Sequence, residues 1–178
     1  MLVCLRLMEV TKTSQADLAR EIKISTSTVN RTIKKLESMG AVDIKPRGLN
    51  VIDREKILMY LASIRNPHKD ITYKTRSDKS VKEIEKLMPG EVEFTAYTAY
   101  KLRYKDVPAD YSEVYVYGDK DAAPEIKDRF PPQKGPSNLY LLKKETEVTP
   151  SLIFADLWNL REWYAKEFTG VLRDRILE

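Results

Sequence analysis

Between positions 25 and 35 the chain places Ser25, Thr26, Ser27, Thr28, Asn30, Arg31, Lys34 and Lys35 around the apolar residues Val29 and Ile33, with Leu36 following. At 3.6 residues per turn the apolar three share one helix face and the polar residues take the rest. Short hydroxyl and amide side chains at a helix start can reach base edges, while cations further along meet phosphates. With Arg47 twelve positions on from Lys35, these residues are the candidate DNA contacts. Asn30 or Arg31 can make a two-pronged contact with adenine or guanine. The competing reading is an amphipathic helical hairpin with a solvated basic face, in which Thr28 or Asn30 bonds locally to the helix.

Such residues work only if neighbouring elements hold them. Ser14 is an N-cap with Asp17 three residues on, so a helix is expected over 15–23, with Leu18, Ala19 and Ile22 on one face. Ile24 plugs the turn, Ser25 caps a second helix over 26–39, and Gly40 sits where a left-handed C-cap is wanted. Over 40–53, Val42 and Ile44 alternate with Asp43 and Lys45, Pro46-Arg47-Gly48 turns the chain, and Leu49 and Val51 return. Arg47 at that tip touches phosphate, enters a minor groove or is simply an exposed turn cation. Asp53 then caps a helix to 65 with Ile57, Leu58, Leu61 and Ile64 on its apolar face, and residues 1–10 read as a helix burying Leu2, Leu5 and Met8. The pattern QADLAREI, IS, STV, R, IKKLE, GAV resembles the winged helix-turn-helix of bacterial and archaeal regulators over residues 1–65. That resemblance implies a recognition helix at 26–39.

Charge agrees with this placement. Residues 1–65 hold 12 Lys/Arg against 7 Asp/Glu, residues 66–82 hold 5 against 2, and residues 83–178 hold 14 against 18. A basic first part suits a polyanion, while the acidic remainder is repelled by one. The one cysteine, Cys4, excludes an intrachain disulfide, and one Cys with one His makes no conventional zinc site. The apolar start is too short for a signal peptide and is broken by Arg6; no run reaches membrane-spanning length. A cytoplasmic protein without membrane attachment is expected.

Residues 66–79 are polar and basic, and read as a linker with room for one strand at 71–75; the lone His68 reads as a surface residue. From 80 onward helices and strands alternate. Ser80 to Glu83 is a capping box opening a helix to 88, stopped by Pro89-Gly90. A helix over 95–105, a strand over 113–117, a short helix over 124–129 and a strand over 138–143 follow. Thr149-Pro150 opens a helical end whose apolar face holds Leu152, Ile153, Leu157, Trp158, Trp163, Phe168, Val171, Leu172 and Ile176. The class is α+β: a winged helix-turn-helix at 1–65, the linker at 66–79, then a small mixed-sheet domain with C-terminal helices at 80–178.

The order FTAYTAYKLRY, VPADYSEVYVYGD, TPSLIFADLWNLREWYAKEF resembles the C-terminal domain of the AbiEi-like type IV abortive-infection antitoxins. The late motif falls on Pro150, Leu152, Ile153, Ala155, Asp156, Leu157, Arg161, Glu162, Ala165 and Glu167. The resemblance implies an autoregulating DNA-binding protein, often encoded beside a nucleotidyltransferase toxin. A nucleotidyltransferase-derived enzyme is the weaker alternative, because such a site needs carboxylates converging on metal after a Gly-Ser helix start. Here Thr98-Ala99 replaces Gly-Ser, Tyr115 stands where the second carboxylate belongs, and Asp119 and Asp121 lie in a turn past the strand. Asp156 with Arg161, or Arg161 with Glu162, reads as a polar network within the C-terminal helices. Tyr97, Tyr100, Tyr104, Tyr111, Tyr115 and Tyr117 line a ligand pocket, stack on bases or pack half-buried.

No catalytic residue, metal ligand or cofactor is assigned, and the protein is expected not to be an enzyme. The leading expectation is a sequence-specific transcriptional regulator that binds double-stranded DNA and represses its own operon. The second domain then holds a nucleotidyltransferase-type toxin or another neighbouring-gene protein, or organises a homodimer. The alternative from another class is an antitoxin module for protein interaction without DNA activity.

Overall fold

The computed structural model describes residues 1–178. It is α+β, with nine α-helices and two sheets. Contacts divide it into two compact units, Met1–Arg65 and Asn66–Ile176.

The first unit runs α1 (Leu2–Glu9), β1 (Lys12–Thr13), α2 (Gln15–Glu21), α3 (Thr26–Ser38), β2 (Val42–Lys45), β3 (Gly48–Val51) and α4 (Arg54–Ile64). Three expected caps form. The side chains of Ser14, Ser25 and Asp53 accept from the backbone N–H of Asp17, Thr28 and Lys56. The helix α2 stops at Glu21 rather than 23, because Lys23 takes a left-handed conformation at φ 53° that turns the chain toward α3. Gly40 follows the end of α3 at φ 69°. Antiparallel β2 and β3 pair Val42 with Val51 and Lys45 with Gly48, leaving Pro46 and Arg47 as the hairpin tip. The strand β1 adds to the other edge of β3, giving the order β1-β3-β2.

The buried core of this unit joins Leu18, Val29, Ile33, Leu36 and Leu49 with Ile57, Leu58 and Leu61. Two expected faces rotate. In α1 the buried residues are Val3, Cys4, Leu5 and Leu7, while Leu2 and Met8 are only half-buried. In α4, Ala62 is buried and Ile64 is 43% exposed. The helix α1 packs on α4, where the expected Ile57, Leu58 and Leu61 are buried. Burial pushes the Cys4 thiol up to about 11, which keeps it an inert packing residue.

The second unit begins with a 3-10 turn (Pro67–Asp70) and β4 (Ile71–Thr75): the strand expected at 71–75 forms, but residues 66–79 belong to the second unit and its sheet rather than to a linker. The strand β4 lies at the edge of its sheet, and its residues alternate between partly buried and exposed because one face meets solvent. Then come α5 (Val81–Lys86), β5 (Glu93–Thr95), α6 (Ala96–Tyr104), β6 (Val114–Gly118), α7 (Ala122–Arg129), β7 (Leu139–Lys143), α8 (Pro150–Trp158) and α9 (Ala165–Leu177). The sheet order is β4-β7-β6-β5, with β6 and β7 parallel and both edge pairs antiparallel. The helix α7 is the crossover that a parallel pair requires. The other edge strand, β5, was not expected; its three residues are too few for a period to register.

Val114 and Val116 of β6 face a core with Leu139, Leu141, Ile84, Ile126 and Phe130. The alternate residues Tyr115 and Tyr117 are also buried, so β6 is covered on both sides. The C-terminal helical region is two helices, broken between Trp158 and Ala165. Trp158 at the end of α8, Trp163 in the break and Val171 within α9 are exposed rather than core residues.

Candidate nucleic-acid interface

Val29, Ile33 and Leu36 of α3 are fully buried. At 100° per residue they cover an arc of about 60°, and Ser27, Arg31, Lys34 and Ser38 fall on an arc of similar width opposite it. Thr28 and Lys35 lie on one flank of that outward stripe and Asn30 on the other. The core therefore aims the helix, and Ser27, Arg31, Lys34 and Lys35 are all exposed.

Most short polar side chains of α3 are already engaged. The Ser25 and Thr28 hydroxyls share a hydrogen bond of 2.9 Å. Thr32 donates to the Thr28 carbonyl at 3.3 Å and Ser38 to the Lys35 carbonyl at 2.8 Å. The Asn30 amide donates to Gln15 Oε1 on α2 at 2.9 Å. Gln15 carries no local sequence signal, since its meeting with Asn30 depends on the turn between the helices. Thr26 is exposed at the first position of the helix.

Charge sorts itself in the same way. Arg6 pairs with Glu21 and Glu9, Arg20 with Asp17, Lys45 with Asp43 at 2.5 Å and Lys56 with Asp53 at 3.7 Å. The Ser14 hydroxyl, with Arg20 beside it, holds the Asp17 carboxyl below its ordinary value. Arg31, Lys34, Lys35 and Arg47 enter no ion pair. Glu37 is the one acidic residue of α3, six residues past Arg31. Arg47 is exposed at the hairpin tip, as expected of a wing. Its hairpin is seated by Gly48, at φ 147°, where an added Cβ would stand 2.6 Å from the Thr13 carbonyl oxygen.

The second unit concentrates its polar chemistry around tyrosines. Asp156, 1% exposed, accepts from Thr95 Oγ1 at 2.7 Å and from the Tyr117 hydroxyl at 2.6 Å. Glu162 accepts from Tyr97 at 3.1 Å and Tyr115 at 3.4 Å. Glu85 accepts from Thr98, Tyr111 and Lys101. Burial, with Glu162 beside them, pushes the Tyr97 and Tyr115 hydroxyls far above their ordinary value, so they act as donors. The expected networks centred on Arg161 give way to these: Arg161 is exposed, and the carboxylates turn inward to hydroxyls instead. Asp119 accepts from the backbone of Asp121 and Ala122 at the start of α7. His68 is exposed. No group of three or more His, Cys, Asp or Glu is placed to hold a metal ion, and no helix is long and apolar enough to cross a membrane.

Comparison with curated proteins and with solved structures gives no match. Residues 12–43 match the family model for winged helix-turn-helix DNA-binding, a span from β1 through α2 and α3 into β2. The chain therefore carries a winged helix-turn-helix DNA-binding domain at its N-terminus.

Proposed function

We propose that the protein is a sequence-specific transcriptional regulator, cytoplasmic and without a catalytic step, that represses its own operon. Ser25, Thr26, Ser27, Thr28, Asn30, Arg31, Lys34, Lys35 and Arg47 form the side of the first unit that meets the duplex. One observation carries this: Arg31, Lys34 and Lys35 stand exposed and unpaired on the outward side of a helix whose opposite face is fully buried. Cations left without acidic partners are available to displace the counterions of a polyanion. The test is duplex binding followed by fluorescence anisotropy across a salt series. Log affinity should fall with log salt at about −0.9 per neutralised phosphate, so by about −3.6 if all four cations neutralise one and about −2.7 if Arg31 takes a base edge instead. Salt-independent binding, or no binding to any duplex at low salt, overturns the reading.

For the second unit the reading is antitoxin-like: it holds a neighbouring-gene protein, of nucleotidyltransferase-toxin type. What supports a docking role is a groove of about 340 Å³ along α8 and α9, where Trp158 is 52% and Trp163 71% exposed. Exposed tryptophans are costly to leave in water and are common anchors of protein interfaces. The excess of acid over base in residues 83–178 argues against this half lying on a duplex. Sedimentation of the full chain with and without the neighbouring gene product tests it. A homodimer that ignores that product sinks the antitoxin reading and leaves the DNA-binding one intact.

A further inference from the structure

We infer that sequence readout by α3 rests on Arg31, which takes a guanine in the major groove, and that Asn30 is withheld from the bases as the strut that fixes α3 against α2. The inference rests on the DNA-binding reading above and divides labour within that site.

Two residues on α3 carry a planar group whose fixed geometry suits a two-pronged base contact, Asn30 and Arg31, whereas Lys34 and Lys35 offer only a rotating ammonium. Their surroundings differ. Asn30 is half-buried, lies off the outward stripe, and gives its amide N–H to Gln15 Oε1 at 2.9 Å. One of its two amide N–H donors is held in a hydrogen bond that spans fifteen residues and ties the two helices together, so its amide is oriented by α2 rather than toward the groove. Arg31 lies on the stripe opposite the buried Val29, Ile33 and Leu36, is exposed, and has no ion pair to break. Its planar fork of N–H groups matches the O6 and N7 acceptors on the major-groove edge of guanine. Lys34 and Lys35, one turn further along, are point charges suited to the phosphates that flank such a contact. Ser27 is the remaining uncommitted side chain on the stripe, one turn before Arg31, and stands over the adjacent step.

The test starts from duplexes selected by the full-length protein out of a random-sequence pool. A selected site should hold a required G·C pair. Arg31→Ala should lower affinity for that site by about 5- to 150-fold, the range of one bidentate base contact, while random duplex changes far less. Arg31→Lys should keep binding to random duplex without restoring the preference, and 7-deazaguanine at the required pair, which lacks N7, should mimic the loss. Gln15→Ala and Asn30→Ala should each weaken binding without changing which bases are preferred, and the double variant should cost no more than either alone, since both break one strut. Equal losses on selected and random duplex for Arg31→Ala overturn the inference, as does an A·T preference lost in Asn30→Ala but kept in Gln15→Ala. If the pool yields bound duplexes with no common sequence, this inference falls and DNA binding stands. If no duplex binds, the DNA-binding reading itself falls.

Discussion

The Tyr117 hydroxyl of β6 donates to Asp156 Oδ2 of α8 at 2.6 Å, with Asp156 only 1% exposed. Thr95, the N-cap residue of α6, donates to the same oxygen at 2.7 Å. One carboxylate oxygen thus joins a strand, a helix start and a second helix in the second unit. Tyr117→Phe should cost about 1.5–3 kcal/mol, as for a hydrogen bond to a carboxylate. Asp156→Ala should cost more, because it removes both of these hydrogen bonds at once. Denaturant unfolding of the variants checks this, and a neutral Asp156→Ala would show that the contact contributes nothing net.

Gly48 governs the wing. An alanine there would need both a backbone conformation that L-residues avoid and room that the Thr13 carbonyl occupies. Gly48→Ala should destabilise the first unit by about 1–3 kcal/mol, the usual cost of a strained conformer, and the β1–β3 pairing should be the part that loosens. Amide exchange at residues of β1 and β3 would report it; unchanged protection there would refute the steric argument.

Lys23 offers the opposite sign. Exposed at φ 53°, it holds a left-handed conformation with no side-chain bond in return. Lys23→Gly should raise stability by about 1 kcal/mol, since glycine adopts that conformation without the steric cost. Thermal unfolding decides, and a lowered midpoint would mean that the lysine contributes something the turn geometry does not reveal.

If Arg47 at the hairpin tip meets phosphate as Lys34 and Lys35 do, the three cations should behave alike. Replacing any one with Ala should weaken binding to selected and random duplexes alike and make the salt slope shallower by about 0.9. A variant whose loss is confined to the selected site would move that residue from phosphate to base contact. An unchanged salt slope for Arg47→Ala would return Arg47 to the role of a plain turn cation.

Glu113 should make stability in the second unit depend on pH. Burial raises its carboxyl above the ordinary 4.5, with Glu162 adding to the shift and the Tyr164 hydroxyl bond opposing it. A raised acid keeps its proton longer folded than unfolded. Its contribution is therefore greatest below the unfolded value and declines as pH rises through the folded one. Glu113→Gln should flatten that decline just above about pH 4.5. Urea unfolding of both proteins across this window checks it, and parallel profiles would place the pH dependence elsewhere.

The helix-turn-helix was legible because its signals are local. Caps at Ser14 and Ser25, the ladder of Leu18, Val29, Ile33 and Leu36, and Gly40 after the helix each act within a turn or two of chain. Periodicity therefore determined the buried face of α3 and, by subtraction, the polar face opposite it. The α+β class followed from the same kind of signal in the second half. Where the outcome depended on residues far apart in sequence, periodicity had no purchase. It could not show that Gln15 engages Asn30, that residues 71–75 are a sheet edge rather than part of a linker, or that Trp158 and Trp163 face water. It offered Asp156 with Arg161, or Arg161 with Glu162, whereas the docking of α8 brings the hydroxyls of Thr95 and Tyr117 to Asp156 instead. Backbone preference and apolar spacing fix each helix by itself. Which polar atoms meet is decided by how helices and strands dock, and that docking separates a committed Asn30 from an uncommitted Arg31.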